Sequence, residues 1–387
     1  MRDQPKDLDE GVLAAALEAW GIETAGLEHA PVGFGDHHWI ATGTHIRTPA
    51  DARDRTASHV RTAPHIRTPA DARDRTASHV RTAPHVRTPA DARDRTASGT
   101  RRWFVTVADL GDGREGPSAG LGGGRGAAFA RSAAAMETAA ALVGLGFVVA
   151  PVRALDGTTL RPLGERYALS VFPFVEGGTG DFGDELSAPD RGLVIDLLAE
   201  LHSTPPPATT PARPLELVHR AGLEQALRET HRPWTGGPYA EPARALLAEH
   251  ATSLRRTLRD FDRMSRNAGH PVLTHGEPHP GNLLRRGDRF LLVDWDTVGL
   301  AAPERDLWLV ARGPDDLARY ADATGRVPDP AALDLYRLRW SLDDVAEFAG
   351  WFRSPHTRTP DTDLAWRSLT TTLDHVIRPA GTPPLSR

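Results

Sequence analysis

The chain has 387 residues, 40% hydrophobic and 25% charged, an ordinary globular composition with length for one large or two medium domains. The absence of cysteine excludes disulfides and thiolate metal sites. The charged opening MRDQPKDLDEG lacks the apolar core of a signal peptide, and no apolar run approaches the roughly 20 residues of a membrane span, so the expectation is a cytoplasmic protein with no membrane partner. The net charge of −5 is unevenly placed: residues 45–98 hold eleven Arg against six Asp, which leaves −10 for the remainder. An acidic body is compatible with a cationic substrate without specifying one. Lys6 is the only lysine.

Leu8, Val12, Leu13, Ala16, Leu17 and Trp20 recur at helical spacing and Gly21 stops the run, giving an N-terminal amphipathic helix. A strand at 27–32, the turn Gly33-Phe34-Gly35-Asp36 and a strand at 37–42 follow. Glycines let the backbone N–H groups of such a turn approach phosphates closely, although a Gly-x-Gly turn by itself is an ordinary chain reversal. Residues 45–98 are a repeat. HIRTPADARDRTASHVRTAP occurs at 45–64 and again at 65–84, and a third copy breaks off at Ser98. The unit has few large apolar residues, so stacked copies would bury almost nothing. The expectation is a solvated, largely disordered insertion between two strands of one hairpin. Its histidines lack metal-ligand spacing and no aromatics are interleaved for base stacking, which argues against metal and nucleic acid.

A strand at 101–108 alternates at Trp103, Val105 and Val107. The glycine-rich stretch 111–126 lacks the Gly-Lys-Ser/Thr ending of a P-loop and reads as a connection. The alanine-rich segment 127–142 should be helical, and strands are expected at 147–153 and 167–174. From residue 190 onward the pattern is mainly helical, with helices near 190–202, 214–230, 241–267, 303–311, 314–323, 330–352 and 361–377. Residues 203–213, with three successive prolines, form a linker. Asp343, Asp344 and Glu347 share one helix with Trp340 and Trp351. That face reads equally as a holder for an amino-sugar or as solvated surface.

The rest of the chain is organised around residues 271–297, PVLTHGEPHPGNLLRRGDRFLLVDWDT. An apolar run leads into a loop with His275, Glu277, His279, Gly281 and Asn282. Leu283 and Leu284, a polar turn and the run 290–293 follow, ending on Asp294. The reading is strand, loop, short strand, turn, strand, which places Glu277, Asn282 and Asp294 at element ends where their side chains can converge. Such a set suits phosphoryl transfer. One carboxylate orients an attacking hydroxyl, while an amide oxygen and a second carboxylate hold Mg²⁺ on nucleotide phosphates.

HGEPHPGNLL followed by LLVDWDT resembles the catalytic loop and metal-binding segment of the aminoglycoside phosphotransferase family. The continuation Ala302-Pro303-Glu304-Arg305-Asp306-Leu307-Trp308 is similar to its actinobacterial and spectinomycin-kinase-like branches. The resemblance implies an α+β, bilobal protein-kinase-like fold: a small, mainly β N-lobe over 1–176, carrying the repeat insertion, and a larger helical C-lobe over 177–387. It implies Glu277 as catalytic base, His275 as the histidine bracing the catalytic loop, and Asn282 and Asp294 as Mg²⁺ ligands. Asp306 becomes a structural brace. Gly33 and Gly35 become the nucleotide-covering turn, and the stretch with Phe174 and Glu176 a hinge whose backbone binds adenine. His202 is expected to be packed rather than catalytic.

The implied function is ATP-dependent transfer of the γ-phosphate to a hydroxyl of an aminoglycoside-like antibiotic or related hydroxylated small molecule. The sequence departs from the family pattern in two places. Glutamate stands at 277 where aspartate is usual, and Thr106 stands where a strand lysine would meet the phosphates. Arg125 and Arg131 are the nearby arginines with the reach to stand in for that lysine. Glu137 reads either as the lysine's former helix partner or as helix surface. These departures keep open a second reading, a nucleotide-binding relative with a regulatory role.

Overall fold

The computed structural model describes residues 4–5, 7–33, 36–45, 100–110, 124–265 and 270–377. Its first element, α1 (Glu10–Leu17), starts where Asp9 Oδ1 accepts from the backbone N–H groups of Gly11 and Val12, a cap supplied by sequence. A 3₁₀ turn at Glu18–Trp20 ends at Gly21, whose φ of 68° is readily reached only without a Cβ.

The sheet that follows contains β1 (Ile22–Ala30), β2 (His37–His45), β3 (Arg101–Asp109), β4 (Arg161–Leu163) and β5 (Tyr167–Pro173). Its order is β1-β2-β3-β5-β4 and every neighbouring pair is antiparallel. Alternation decides the faces. Trp39 and Ala41 of β2 and Trp103, Val105 and Val107 of β3 point into one core with Leu13, Leu17 and Trp20. The expected strand at 27–32 therefore begins earlier and ends earlier, and β4 was not legible in the sequence. β2 and β3 pair with each other, so the repeat joins two strands of one ladder. Apart from His45, which closes β2, the repeat lies outside the described residues.

Residues 147–153 are not a strand. Val148 makes one parallel bridge to Leu292, with Leu292 N donating to Phe147 O at 2.7 Å and Val149 N to Leu292 O at 3.0 Å. Pro151 has no N–H to continue the ladder. Beyond it, Val152 N donates to Val171 O at 2.7 Å, so the segment crosses from the catalytic hairpin to the sheet.

Helix α2 (Arg125–Ala141) packs beside the sheet. Beyond β5 the chain is mostly helical, with α3 (Ala188–Ser203), α4 (Arg220–Arg228), α5 (Ala240–Met264), α6 (Glu304–Val310), α7 (Pro314–Thr324), α8 (Pro330–Arg353) and α9 (Pro360–Ile377). Leucines on α4 and α5 interlock with Leu342, Val345, Phe348 and Phe352 of α8 and with Leu369 and Leu373 of α9. A second core joins the two regions. It combines Ala135, Met136 and Ala139 of α2 with Phe172, with Ile195, Leu198 and Leu201 of α3, and with Leu273, Leu283, Leu292 and Trp295 around the catalytic segment. Each fully buried Leu or Ile there contributes about 1.5–3 kcal/mol, so the loop between these residues is held on rigid walls. No described helix is long and apolar enough to cross a membrane.

The antiparallel sheet region followed by a helical region is the α+β, kinase-like arrangement that the motif implied.

Candidate active site

The segment 271–297 folds as β6 (Val272–Thr274), a loop, a 3₁₀ turn at Pro280–Asn282, β7 (Leu283–Arg286), β8 (Arg289–Leu292) and then β9 (Gly299–Ala301), which pairs back on β6. β9 and the 3₁₀ turn are additions to the expected sequence of elements.

The loop is held by a buried ion network. Asp306 on α6 accepts from His275 N at 2.8 Å and from Gly276 N at 2.6 Å, one bond to each carboxylate oxygen. His202 of α3 reaches the same carboxylate through Nε2 at 3.0 Å and meets the Tyr320 hydroxyl through Nδ1 at 2.9 Å. Burial by itself would raise the Asp306 carboxyl. The hydrogen bond and charge of His202, with Arg305, outweigh it and hold Asp306 below the usual carboxylate range. Arg305, also buried, donates to Thr274 Oγ1 and Thr297 O, each at 2.8 Å. Gly276, with φ 105°, lies flat against that guanidinium. His202 is thus packed as expected, but as part of the brace itself.

His275 reads as a positioning residue. Its Nε2 donates to Val293 O at 2.9 Å, and its Nδ1 accepts from Glu277 N at 3.2 Å. The two bonds fix one neutral tautomer, and burial lowers its pKa further. Trp295, fully buried, sits edge-on to it at 4.7 Å. His275 therefore ties the end of β8 to the start of the catalytic loop.

Asn282 donates through Nδ2 to Glu277 O at 3.0 Å and approaches His279 Nε2 at 3.3 Å, so its amide nitrogen is engaged and its Oδ1 is the acceptor end. Val293 N donates to Asn282 O at 3.1 Å, placing Asn282 beside Asp294. Asp294 has a φ of 63°, unique for a non-glycine residue among the described residues. Left-handed backbone costs an L-residue about 1–2 kcal/mol, a cost the chain bears at the residue that ends the hairpin.

Acidic groups crowd this floor. Asp294 is exposed to solvent at the edge of a densely packed acidic cluster. Burial, then Asp296, Glu277 and Asp36, push its carboxyl well above the ordinary value. Glu277 is raised to about 8 by burial and then by Asp296, against the opposing charges of Arg305 and Arg339. Asp36, from the glycine turn, is raised to about 7 by burial and by Asp296. Such crowding favours a divalent cation, and the donor set of Asn282 Oδ1 and the Asp294 carboxylate fits Mg²⁺. That ion commonly takes one or two protein oxygens and completes its shell with phosphates and water. Among the described residues no group of three or more His, Cys, Asp or Glu side chains forms a metal cage.

The remaining expected site residues are divided. Gly33 has φ 70° and sits at the turn between β1 and β2, whereas Gly35 lies outside the described residues. Asp36, just before β2, interacts electrostatically with Asp294 and Asp296. Phe174 N makes a long 3.4 Å bond to Arg102 O, and the Arg102 guanidinium lies 3.9 Å over the Phe174 ring while pairing with Glu176 at 2.7 Å. The Glu176 side chain is therefore turned to Arg102 and to solvent.

Thr106 is bonded to His38 Nδ1 at 3.3 Å. Glu137 pairs with Arg153 at 2.8 Å and accepts from Thr159, so it braces the 153–159 loop. Arg125 donates to Glu165 O at 3.1 Å.

Of the acidic trio on α8, Asp343 accepts from Val218 N at 2.8 Å and pairs with Arg339 at 3.3 Å, which anchors the 216–219 segment. Asp344 and Glu347 have no ion-pair partner among the described residues. Burial and then Glu347 raise Asp344 to about 8, with the Trp340 N–H opposing. Burial, Asp343 and Glu277 raise Glu347 to about 7. Asp344 and Glu347 thus share an electrostatic field with Glu277, and Asp343 serves the scaffold.

Sequence reasoning missed Arg305, Asp36 and Asp296. Asp296 follows Asp294 at the alternation expected of one face, and Asp36 adjoins the glycine turn, so both carried a signal. Arg305 carried none.

The profile described as "Phosphotransferase enzyme family" matches residues 91–351. Protein StrN of Streptomyces griseus is 31% identical over 248 residues, covering 59% of this chain and 72% of the relative. The structure of a spectinomycin phosphotransferase with ADP and its antibiotic matches at a TM-score of 0.60 and 12% identity, covering 96% of this chain and 98% of that one. An amicoumacin kinase solved with AMP-PNP and Ca²⁺ matches at 0.51 and 9% identity, over 95% of this chain and 93% of that one. At these identities the structural matches speak to the fold.

Proposed function

We propose, from the premise that this chain belongs to the phosphotransferase enzyme family and acts on hydroxyl acceptors, that it is an ATP-dependent O-phosphotransferase for an amine-bearing, aminoglycoside-like antibiotic or related hydroxylated metabolite. The observation that carries the proposal is the convergence of Glu277, Asn282 and Asp294 on one cleft floor, each aimed by a separate backbone device. Nucleotides bound to the spectinomycin phosphotransferase and the amicoumacin kinase support ATP as donor.

In this reading Asn282 Oδ1 and Asp294 hold Mg²⁺. When bound, the ion neutralises charge on the phosphate oxygens. Glu277 accepts the acceptor hydroxyl's proton in a hydrogen bond and orients its oxygen toward the γ-phosphate. Because the transition state is loose, alignment contributes more than full proton abstraction. His275, Gly276 and Asp306 keep the Glu277 backbone fixed while this happens. Asp344 and Glu347 supply negative charge for an ammonium group on the acceptor. Gly33 and Gly35 cover the phosphates, and the backbone at Phe174 and Glu176 meets the base. Residues 1–176 and 177–387 form the two lobes.

A second reading, nucleotide binding without turnover, draws on Thr106: its bond to His38 puts no cation at the strand position that ordinarily meets phosphate. One experiment separates the two. The protein is incubated with MgATP and a panel of aminoglycosides, spectinomycin and amino alcohols, with Asp294→Ala as control, and products are read by mass spectrometry. A phosphorylated acceptor that disappears in the control supports the enzyme. Mg²⁺-dependent ATP binding with no product across the panel favours the regulator.

A further inference from the structure

We infer that Arg213 is a positioning residue for the metal-binding carboxylate: it clamps the turn that follows Asp294 and so sets where that carboxylate stands. The inference rests on the phosphotransferase reading above and adds to it a residue from outside the catalytic segment.

Arg213 lies in the proline-rich stretch between α3 and α4, which the sequence presents as a linker. The stretch is instead built onto the catalytic region. Arg213 N donates to Leu300 O at 2.9 Å and Leu300 N to Pro211 O at 2.8 Å, so residues 211–213 run beside β9, with a parallel bridge at Ala212. Upstream, Thr209 Oγ1 meets Thr138 Oγ1 of α2 at 3.1 Å. Gly299 permits the close approach, because a Cβ there would collide with Arg213 Cγ and lie 2.6 Å from Pro211 O.

These main-chain bonds hold the stretch in place without the guanidinium, which serves the turn instead. Its Nη2 donates to Asp296 O at 2.8 Å and its Nε to Val298 O at 3.2 Å. The carbonyl between them, Thr297 O, accepts from Arg305 Nη2 at 2.8 Å, and Thr297 Oγ1 donates to His275 O at 3.0 Å. Three consecutive carbonyls just beyond Asp294 are thus held by two guanidiniums from distant parts of the chain. Hydrogen bonds from a charged donor are the stronger class.

Asp294 needs such a clamp. Its φ of 63° is left-handed, a conformation that persists only where the surroundings over-determine it. Upstream the constraint is His275 Nε2 on Val293 O, at 2.9 Å. Downstream it is Trp295, whose indole N–H donates to Leu292 O at 3.0 Å, and then Arg213 on the turn itself. Removing the guanidinium takes the donor from Asp296 O and Val298 O and lets the strained residue relax. Arg213 therefore acts on the carboxylate through the backbone.

The test is calorimetric titration of the full chain with AMP-PNP, with and without Mg²⁺, for the wild type, Arg213→Met and Arg213→Lys, with Tm measured on each. Mg²⁺ should tighten AMP-PNP binding in the wild type. Arg213→Met keeps the length and removes the donors, and should reduce that enhancement about ten-fold or more with metal-free affinity unchanged. Arg213→Lys, which keeps the charge and one donor group, should recover part of it. A merely structural role would lower Tm and leave the enhancement alone. The inference is overturned if the enhancement is intact in Arg213→Met, or if metal-free affinity falls as far as the affinity with Mg²⁺. Should Arg213→Met not fold, Arg213→Lys decides on the same ratio: a reduced enhancement supports the inference and an intact one overturns it. Wild-type binding that Mg²⁺ does not alter refutes the metal assignment and this inference with it. Turnover with MgATP is scored separately. An Arg213-dependent Mg²⁺ enhancement with no phosphorylated product refutes the proposed reaction alone. Product formation with an enhancement indifferent to Arg213 refutes this inference alone.

Discussion

Gly276→Ala should be among the most damaging single-methyl additions in the chain. An added Cβ at position 276 would lie 2.6 Å from Arg305 Cζ and closer still to Nη2, and the φ of 105° is strained for any residue with a Cβ. The conformational term is about 1–2 kcal/mol. Displacing the buried guanidinium breaks its bonds to Thr274 Oγ1 and Thr297 O, and each orphaned acceptor costs about 1–3 kcal/mol. The sum is on the order of 4 kcal/mol, which corresponds to a fall in Tm of about 5 °C for a chain of this size. Gly287→Ala is the control: its φ is 65°, but nothing lies within 4 Å of the added carbon, so only the conformational cost of about 1–2 kcal/mol remains. Thermal unfolding by circular dichroism gives both values, and turnover of the identified acceptor gives kcat. The loop shift should also lower kcat about 100-fold or more in Gly276→Ala and leave it unaltered in Gly287→Ala. Equal Tm losses in the two variants would refute the claim that the Gly276–Arg305 contact organises the catalytic loop.

Three further outcomes are expected. Asp294→Asn should abolish product formation while leaving Tm equal or higher at alkaline pH, because it relieves like-charge crowding and Asn tolerates left-handed backbone; differential scanning fluorimetry beside a kinase assay tests the pair. The free protein should lose stability as pH rises from about 4 to about 8. Glu277, Asp344 and Glu347 have folded pKa values raised above their unfolded ones, so the native state holds the extra protons in that window and its contribution is lost as they titrate. Glu347→Gln should flatten that slope, and an unchanged pH–Tm profile would contradict the burial assigned to it. Glu176→Ala should leave the KM for ATP within about two-fold, since the side chain is turned to a solvent-facing Arg102 ion pair; a large rise would place the Glu176 carboxylate on the nucleotide.

The element types were legible because their signals are local. Apolar spacing gave α1 and the long helices to within a few residues, and alternation at Trp103, Val105 and Val107 gave β3 and its buried face. Glu277, Asn282 and Asp294 could be singled out because one short segment carries all three. The segment 147–153 was misread for a nonlocal reason. Its valines have strand character, but Pro151 and the distances to Leu292 and Val171 leave it a crossing link.

What the sequence by itself determined is the chemistry available: a carboxylate, an amide and a second carboxylate spaced by a hairpin, in a chain without cysteine and with a single lysine. What only the tertiary structure decided is which groups act together. Asp306 is more than 90 residues from His202, yet the two share a hydrogen bond that fixes the catalytic loop. Asp343 and Asp344 are adjacent in sequence, but one is tied to Val218 and Arg339 while the other is raised to about 8 by burial and the charge of Glu347. Phe182, an aromatic in a connecting stretch, stacks on Trp340 only because α8 is packed beside it. Local propensity acts through neighbours in the chain, whereas burial, charge pairing and ring stacking depend on separations in space that packing alone establishes.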